Sequence, residues 1–171
     1  QPDRSSGRGK KIQAPPVKQA ALKLGLSVYQ PENVNSAESL SFLRELSPEL
    51  LVVVAYGQFL SDELLALPPR GAVNIHASLL PAYRGAAPIH RAVLNGERES
   101  GVTIMYIDSG MDSGDMILQK TAPIGPDMTT GELHEILSVD GAELLLAALR
   151  QIEQGDAPRI PQDHSAATRA P

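Results

Sequence analysis

Cysteine is absent from this chain of 171 residues, so neither a disulfide nor a thiolate metal site is open to it. Long apolar runs are absent as well. No stretch approaches the roughly 20 uninterrupted apolar residues that a membrane-spanning helix needs, and the N-terminus is polar and basic without the apolar core of a secretion signal. These absences predict a soluble chain and are compatible with the cytosol. Nucleotide motifs are missing too. Gly7, Arg8, Gly9, Lys10 and Lys11 offer a glycine-lysine pair without the first P-loop glycine or the closing Ser or Thr, and Ile12 breaks the dinucleotide spacing. The acidic stretch 108–115 fails as a calcium loop: Gly110 stands where Asp or Asn is wanted, Ser113 where the invariant Gly belongs, and Gln119 where the bidentate Glu should be. His90, His134 and His164 fall on two predicted helices and a tail with no ligand spacing, so no metal is expected.

What is present suffices for one domain. The chain is 42% hydrophobic, long enough for a proper core and short for two domains of usual size. Its net charge of -5 conceals an asymmetry, because Arg4, Arg8, Lys10, Lys11, Lys18 and Lys23 face Asp3 alone at the start while the remainder is acidic. A basic end on an acidic body suits contact with a polyanion, although charge alone favours a solvated tail.

Local patterns alternate helix with strand. Residues 1–16 read as a loop of Pro, Gly, Ser and basic side chains; 17–24 as a short helix stopped by Gly25; and 27–29 as a short strand. Ser36 caps a helix through Leu46. The Val-rich run 50–55 predicts a central parallel strand covered on both faces. Ser61 opens a helix to Leu67, residues 72–77 form the next strand, and 87–94 a helix. Strands follow at 101–107 and 116–124. A long helix spans 130–153, with Gly141 as a candidate bend. Residues 156–171 are polar and read as a linker. Such alternation implies α/β architecture.

Chemistry concentrates in three places. Residues two apart on a strand share a face, so Asn74, His76 and Ser78 project together while Val73, Ile75 and Ala77 face the opposite layer. Three polar groups on one face mean either a hydrogen-bonded structure or an open cleft at a strand end. A long loop follows, rich in Pro and Gly, of the kind that tends to be functional. Between the last two strands, acidic residues are set among glycines that permit close backbone approach to a ligand; a plain turn is the alternative.

The order Asn74-Ile75-His76, then Ser78-Leu79-Leu80-Pro81 with Tyr83-Arg84-Gly85, then Asp112-Ser113-Gly114, resembles the formyltransferase superfamily. That group includes glycinamide ribonucleotide formyltransferase, formyltetrahydrofolate hydrolases and amino-sugar formyltransferases. Within it, Ala86 to Ile89, Val102 to Met105 and the basic opening are similar to the methionyl-tRNA formyltransferase branch, and the likeness extends to about Gln162.

This resemblance implies a Rossmann-like α/β fold with a mostly parallel sheet flanked by helices. It implies truncation: a catalytic domain over 1–155 lacking its first βαβ unit, then a linker at 156–171 leading to a missing C-terminal domain. It implies 10-formyltetrahydrofolate as co-substrate and initiator methionyl-tRNA as acceptor, in a monomeric enzyme of translation initiation. The setting would be the cytoplasm of bacterial type, or an organelle. By resemblance, Asn74 and protonated His76 donate to the oxyanion, while Asp112 orients His76 and accepts or relays the amine proton. Folate would lie against Phe59, Leu60, Ser78, Leu79, Leu80 and Pro81 and the backbone of Ile107, Asp108, Ser109 and Gly110. The tRNA would meet Arg8, Lys10, Lys11 and Arg84. The alternatives are a hydrolase or another amine formyltransferase of the superfamily, or a non-catalytic tRNA-binding fragment.

Overall fold

The computed structural model describes residues 1–6 and 11–171. By their internal contacts these separate into two units, Gln1–Leu46 with Tyr56–Leu60, and Ser47–Ala55 with Ser61–Pro171.

In the first unit, strands β1 (Arg4–Ser6) and β2 (Lys11–Gln13) pair antiparallel, Arg4 opposite Gln13 and Ser6 opposite Lys11. A loop was expected over 1–16. The ribbon forms there because backbone hydrogen bonding needs no apolar alternation to close a short ladder. Helix α1 (Pro16–Lys23) starts on proline, whose missing N–H costs nothing at that position, and ends where Gly25 turns left-handed at φ 69°. It buries none of its residues. Helix α2 (Ala37–Glu45) begins as expected, with the Ser36 hydroxyl accepting from the Ser39 N–H at 3.2 Å. The strand expected at 27–29 does not form. Tyr29 is held instead by its ring, 4.2 Å from that of Phe42 between centroids, and by a 3.3 Å contact of its hydroxyl with Ser39 Oγ.

The second unit is built on a four-stranded sheet in the order β3 (Leu51–Val53), β4 (Ala72–His76), β5 (Glu99–Tyr106), β6 (Met116–Pro123). Helices α3 (Asp62–Leu65), α4 (Pro88–Leu94) and α5 (Thr130–Gln154) complete it, with one turn of 3₁₀ helix at His164–Ala166. Helices and strands alternate as expected, but the sheet is mixed rather than mostly parallel: β3 and β4 are parallel, whereas β4 with β5 and β5 with β6 are antiparallel. Between β5 and β6 the chain has only residues 107–115, too few for a parallel crossover of roughly a dozen or more. The run 50–55 supplies β3, which pairs with β4. Strand β3 sits at the edge of the described sheet with Val52 and Val54 44% and 52% exposed, while residues 101–106 of β5 are all buried.

One face of β4, β5 and β6 packs under α5. Val73, Val102, Ile104, Ile117, Leu133 and Leu137 form the middle of that core, each at most 3% exposed. The helix starts at a reciprocal cap, Thr129 and Glu132 each bonding the other's backbone N–H. Gly141 does not break it. Its role is close approach, since a Cβ there would stand 3.0 Å from Ile75 Cγ2 and 3.5 Å from Val102 Cγ1. At the far end, Arg70 Nη1 donates to the Ile152 carbonyl at 2.6 Å. Residues 156–171, read from composition as a linker, follow an ordered course along this unit. Met116 and Ile160 exchange backbone hydrogen bonds at 2.8 and 3.0 Å, and Ala170, fully buried, donates to Arg84 O at 2.7 Å while accepting from Ala87 N at 3.0 Å.

Candidate functional site

Strand β4 divides its side chains as its alternation predicts. Val73, Ile75 and Ala77 pack with the helix-side core, leaving Asn74, His76 and Ser78 to the other face. His76 is 5% exposed. Its Nε2 lies 2.9 Å from the Tyr83 carbonyl and its Nδ1 3.6 Å from Asp112 Oδ2. Both ring nitrogens therefore face acceptors, an arrangement that an imidazolium satisfies at both ends and a neutral ring at one. Asp112 stands in left-handed backbone, φ 49°, a conformation that Asp tolerates better than most residues. Its Oδ2 also accepts the Gly85 N–H at 2.8 Å, and its own carbonyl accepts from Gln162 Nε2 at 2.9 Å. The Asn74 carboxamide, half-buried on the same face, has no hydrogen-bond partner among the described residues. It is the free amide donor of the site.

The neighbouring loop is closed on itself. Ser78 was expected at a folate surface, yet its side chain is fully buried and its hydroxyl donates to the Ala82 carbonyl at 2.6 Å. Leu80, 3% exposed, also points inward. Its N–H donates to Thr103 Oγ1 at 3.1 Å and its carbonyl accepts from Gln119 Nε2 at 2.9 Å. Thr103 in turn donates to the Ser78 carbonyl at 2.7 Å and accepts from Gln119 at 2.9 Å. Polar groups without water must pair, and here the loop's own backbone supplies the partners. Ser78 and Leu80 thus carry the loop from behind and present no side chain to a ligand. Leu79 lies over β5, where a Cβ on Gly101 would meet its Cδ2 at 2.5 Å, and Pro81 follows a cis peptide bond, its carbonyl accepting from Thr168 N.

In the turn after β5, Ile107 donates its N–H to the Ala72 carbonyl at 2.8 Å. Asp108 caps the turn from within, accepting from Gly110 N at 3.0 Å and from the Ser113 hydroxyl at 2.8 Å. Ser109 and Gly110 are exposed. Gly114 is required by space, since a Cβ would come within 2.0 Å of the Tyr106 carbonyl. Of the residues singled out in the sequence, the fold brings His76 and Asp112 together with Asn74 beside them. Phe59, 73% exposed, and Leu60 belong to the first unit. Arg8 and Lys10 lie outside the described residues, and Lys11 is in β2.

Arg84 is tethered: its Nε and Nη2 donate to Gln162 Oε1 at 3.1 and 2.6 Å, and Nη2 lies 3.2 Å from His164 Nδ1. With Ser113, Met111, Thr168 and Arg169 it lines a cavity beside the Asp112 turn. Sequence reasoning placed Gln162, Thr103 and Tyr83 within the resemblance but gave none of them a role in the site. No local pattern marks a lone Gln in a polar tail, whereas Thr103 was detectable as a hydroxyl inside the apolar stretch 102–105 of its strand. The Tyr83 hydroxyl donates to Glu97 and accepts from Asn95 Nδ2 at 2.9 Å. Burial, and then the Glu97 hydrogen bond, push its phenol above the usual tyrosine range. Among the described residues there is no group of three or more His, Asp or Glu placed to hold a metal ion, and no helix is long and apolar enough to cross a membrane.

Residues 1–149 match the model of the formyl transferase family. Across all 171 residues the chain is 58% identical to the methionyl-tRNA formyltransferase of Moorella thermoacetica and 52% identical to that of Desulforamulus reducens, covering 55% and 54% of those proteins. The chain thus spans about half the length of the relatives it matches. A crystal structure of the formyltransferase PseJ from Anoxybacillus kamchatkensis, in complex with a formamido sugar nucleotide and tetrahydrofolate, superposes with a TM-score of 0.74 at 24% identity. It covers 91% of this chain and 82% of that one, a likeness of fold.

Proposed function

Because the chain belongs to the formyl transferase family, we propose that it forms part of an enzyme that moves a formyl group from 10-formyltetrahydrofolate to the amino group of initiator methionyl-tRNA. The carrying observation is the unpartnered Asn74 carboxamide beside a His76 whose Nδ1 lies 3.6 Å from Asp112. When the amine attacks the formyl carbon, a new C–N bond forms, the carbonyl oxygen takes negative charge, and the bond to the departing folate nitrogen then breaks. Asn74 is the donor free to hold that oxyanion. His76, as imidazolium, adds positive charge close by, and direct donation from Nε2 requires it to exchange the Tyr83 carbonyl for the oxyanion. The Asp112 carboxylate takes the proton the amine loses and relays it to the leaving folate nitrogen, so the transfer is proton-neutral and the carboxylate is regenerated.

The residues fit a folate co-substrate at two points: the open carboxamide of Asn74, and the exposed turn at Ser109 and Gly110, where the Gly110 N–H is already held by Asp108 and the carbonyls are left to read a pterin edge. The inward-facing Ser78 and Leu80 support this site without touching it. Arg84, with Arg8, Lys10 and Lys11, supplies the cationic contacts that the nucleic-acid phosphates need.

The test is made in the full-length protein, measuring formate release and formyl-methionyl-tRNA together. Asn74→Ala and His76→Ala are each expected to lower turnover by about 10² to 10³ while the fold is retained. Unchanged turnover in both variants would end the proposal, and formate release without formyl-methionyl-tRNA would assign water as the acceptor.

A further inference from the structure

The tail contributes one side chain whose bonding is out of keeping with a connecting segment. Gln162 is 5% exposed, and both ends of its amide are saturated. Its Nε2 donates to the carbonyls of Asp112 and Gly114 at 2.9 and 2.8 Å, and its Oε1 accepts from Nε and Nη2 of Arg84. Two donors and one oxygen with two lone pairs are the whole capacity of a carboxamide, so none of it is left for solvent. The two clients are also particular. One is the turn that holds Asp112 at φ 49°, a backbone conformation that its neighbours must maintain. The other is the guanidinium that lines the adjoining cavity.

We propose that Gln162 is a positioning residue for formyl transfer, which fixes the Asp112 carboxylate against His76 through the Asp112 and Gly114 carbonyls and aims Arg84 at the amine-bearing substrate. It touches no reacting atom. The proposal rests on the formyl-transfer reading above, and it divides the residue's two functions by chemistry. Glutamate keeps the acceptor that Arg84 uses but has no proton to donate to two carbonyls, and it sets a negative charge against them. Methionine keeps the volume and loses both ends.

In the full-length enzyme, Gln162→Glu should lower kcat by up to about 10²-fold, the order that a 1 Å misplacement can cost, with KM for the tRNA within threefold of wild type. Gln162→Met should lower kcat at least as far and also raise KM, because Arg84 loses its anchor. Asp163→Ala serves as the control. It removes the carboxylate that accepts from Ser165 N at 2.9 Å, loosening the tail's 3₁₀ turn while leaving Gln162 in place, and should keep kcat within about twofold. A Gln162→Glu enzyme with wild-type kcat, or an Asp163→Ala loss equal to it, overturns the proposal; if the Glu variant fails to fold, wild-type kcat in Gln162→Met does the same. An inactive wild-type protein would instead count against formyl transfer itself, and an Asp112→Asn variant run alongside shows whether the assay reports on that turn.

Discussion

Two helices of this chain share an amphipathic pattern and meet opposite ends. Helix α5 lays Leu133, Leu137, Ala148 and Ile152 onto the sheet, and all are at most 5% exposed. Helix α1 buries nothing: Val17 and Leu22 are 78% and 59% exposed, and Leu24 beyond its end is 73% exposed. The contrast extends to their units. The second unit has a continuous core under α5, whereas the buried apolar side chains of the first, among the described residues, are Val34 and Leu40. An apolar stripe states which face would gain from leaving water; it does not supply the surface to be covered by. Stability should follow this division, with slow amide exchange in β4, β5 and α5 and fast exchange in α1.

The largest loss of stability is expected at Leu133. Truncation to Ala should cost about 2 to 5 kcal/mol in chemical denaturation, because a fully buried leucine leaves a cavity that the sheet cannot refill. The matching change Leu22→Ala in α1 should fall within about 0.5 kcal/mol, and a larger loss would show that α1 is covered in solution. A finer probe is Ser36→Ala, which removes the N-cap of α2 in the first unit and should cost about 1 kcal/mol. If it costs nothing, that helix contributes little to the stability being measured. The smallest effect lies at the start of α5. Hydrogen bonds from the Thr129 backbone and hydroxyl hold the Glu132 carboxyl below the usual glutamate range. A lowered folded-state pKa gives stability that is complete above the ordinary carboxylate value and is lost as pH falls through the lowered one. The thermal midpoint of Glu132→Ala should therefore trail wild type near neutral pH, and the gap should narrow below about pH 4.

Much of the site could be read locally. The shared face of Asn74 and His76 follows from the period of a strand, and both serine caps and the Thr129 cap follow from a hydroxyl ahead of a helical run. The loop was harder. Ser78 shares the strand face of His76, so periodicity gave both the same prospects, yet Thr103 and Ala82 close Ser78 into the interior while the Asn74 carboxamide is left open. Gly141 had a plausible local reading as a bend. Its true constraint, contact with Ile75 and Val102, involves side chains far away in the chain.

Sequence by itself determined the alternation of helices and strands, the caps, the polar face of β4 and the glycine-rich turn that carries Asp112, because each depends on backbone preferences over a few neighbouring residues. Only the tertiary structure decided that the described sheet is mixed, that Ser78 is shut in, and that Gln162 reaches back to Asp112 and Arg84. Those outcomes are set by pairing between segments tens of residues apart. Such pairing is selected by the total burial and hydrogen bonding of the folded chain, and no local period records it.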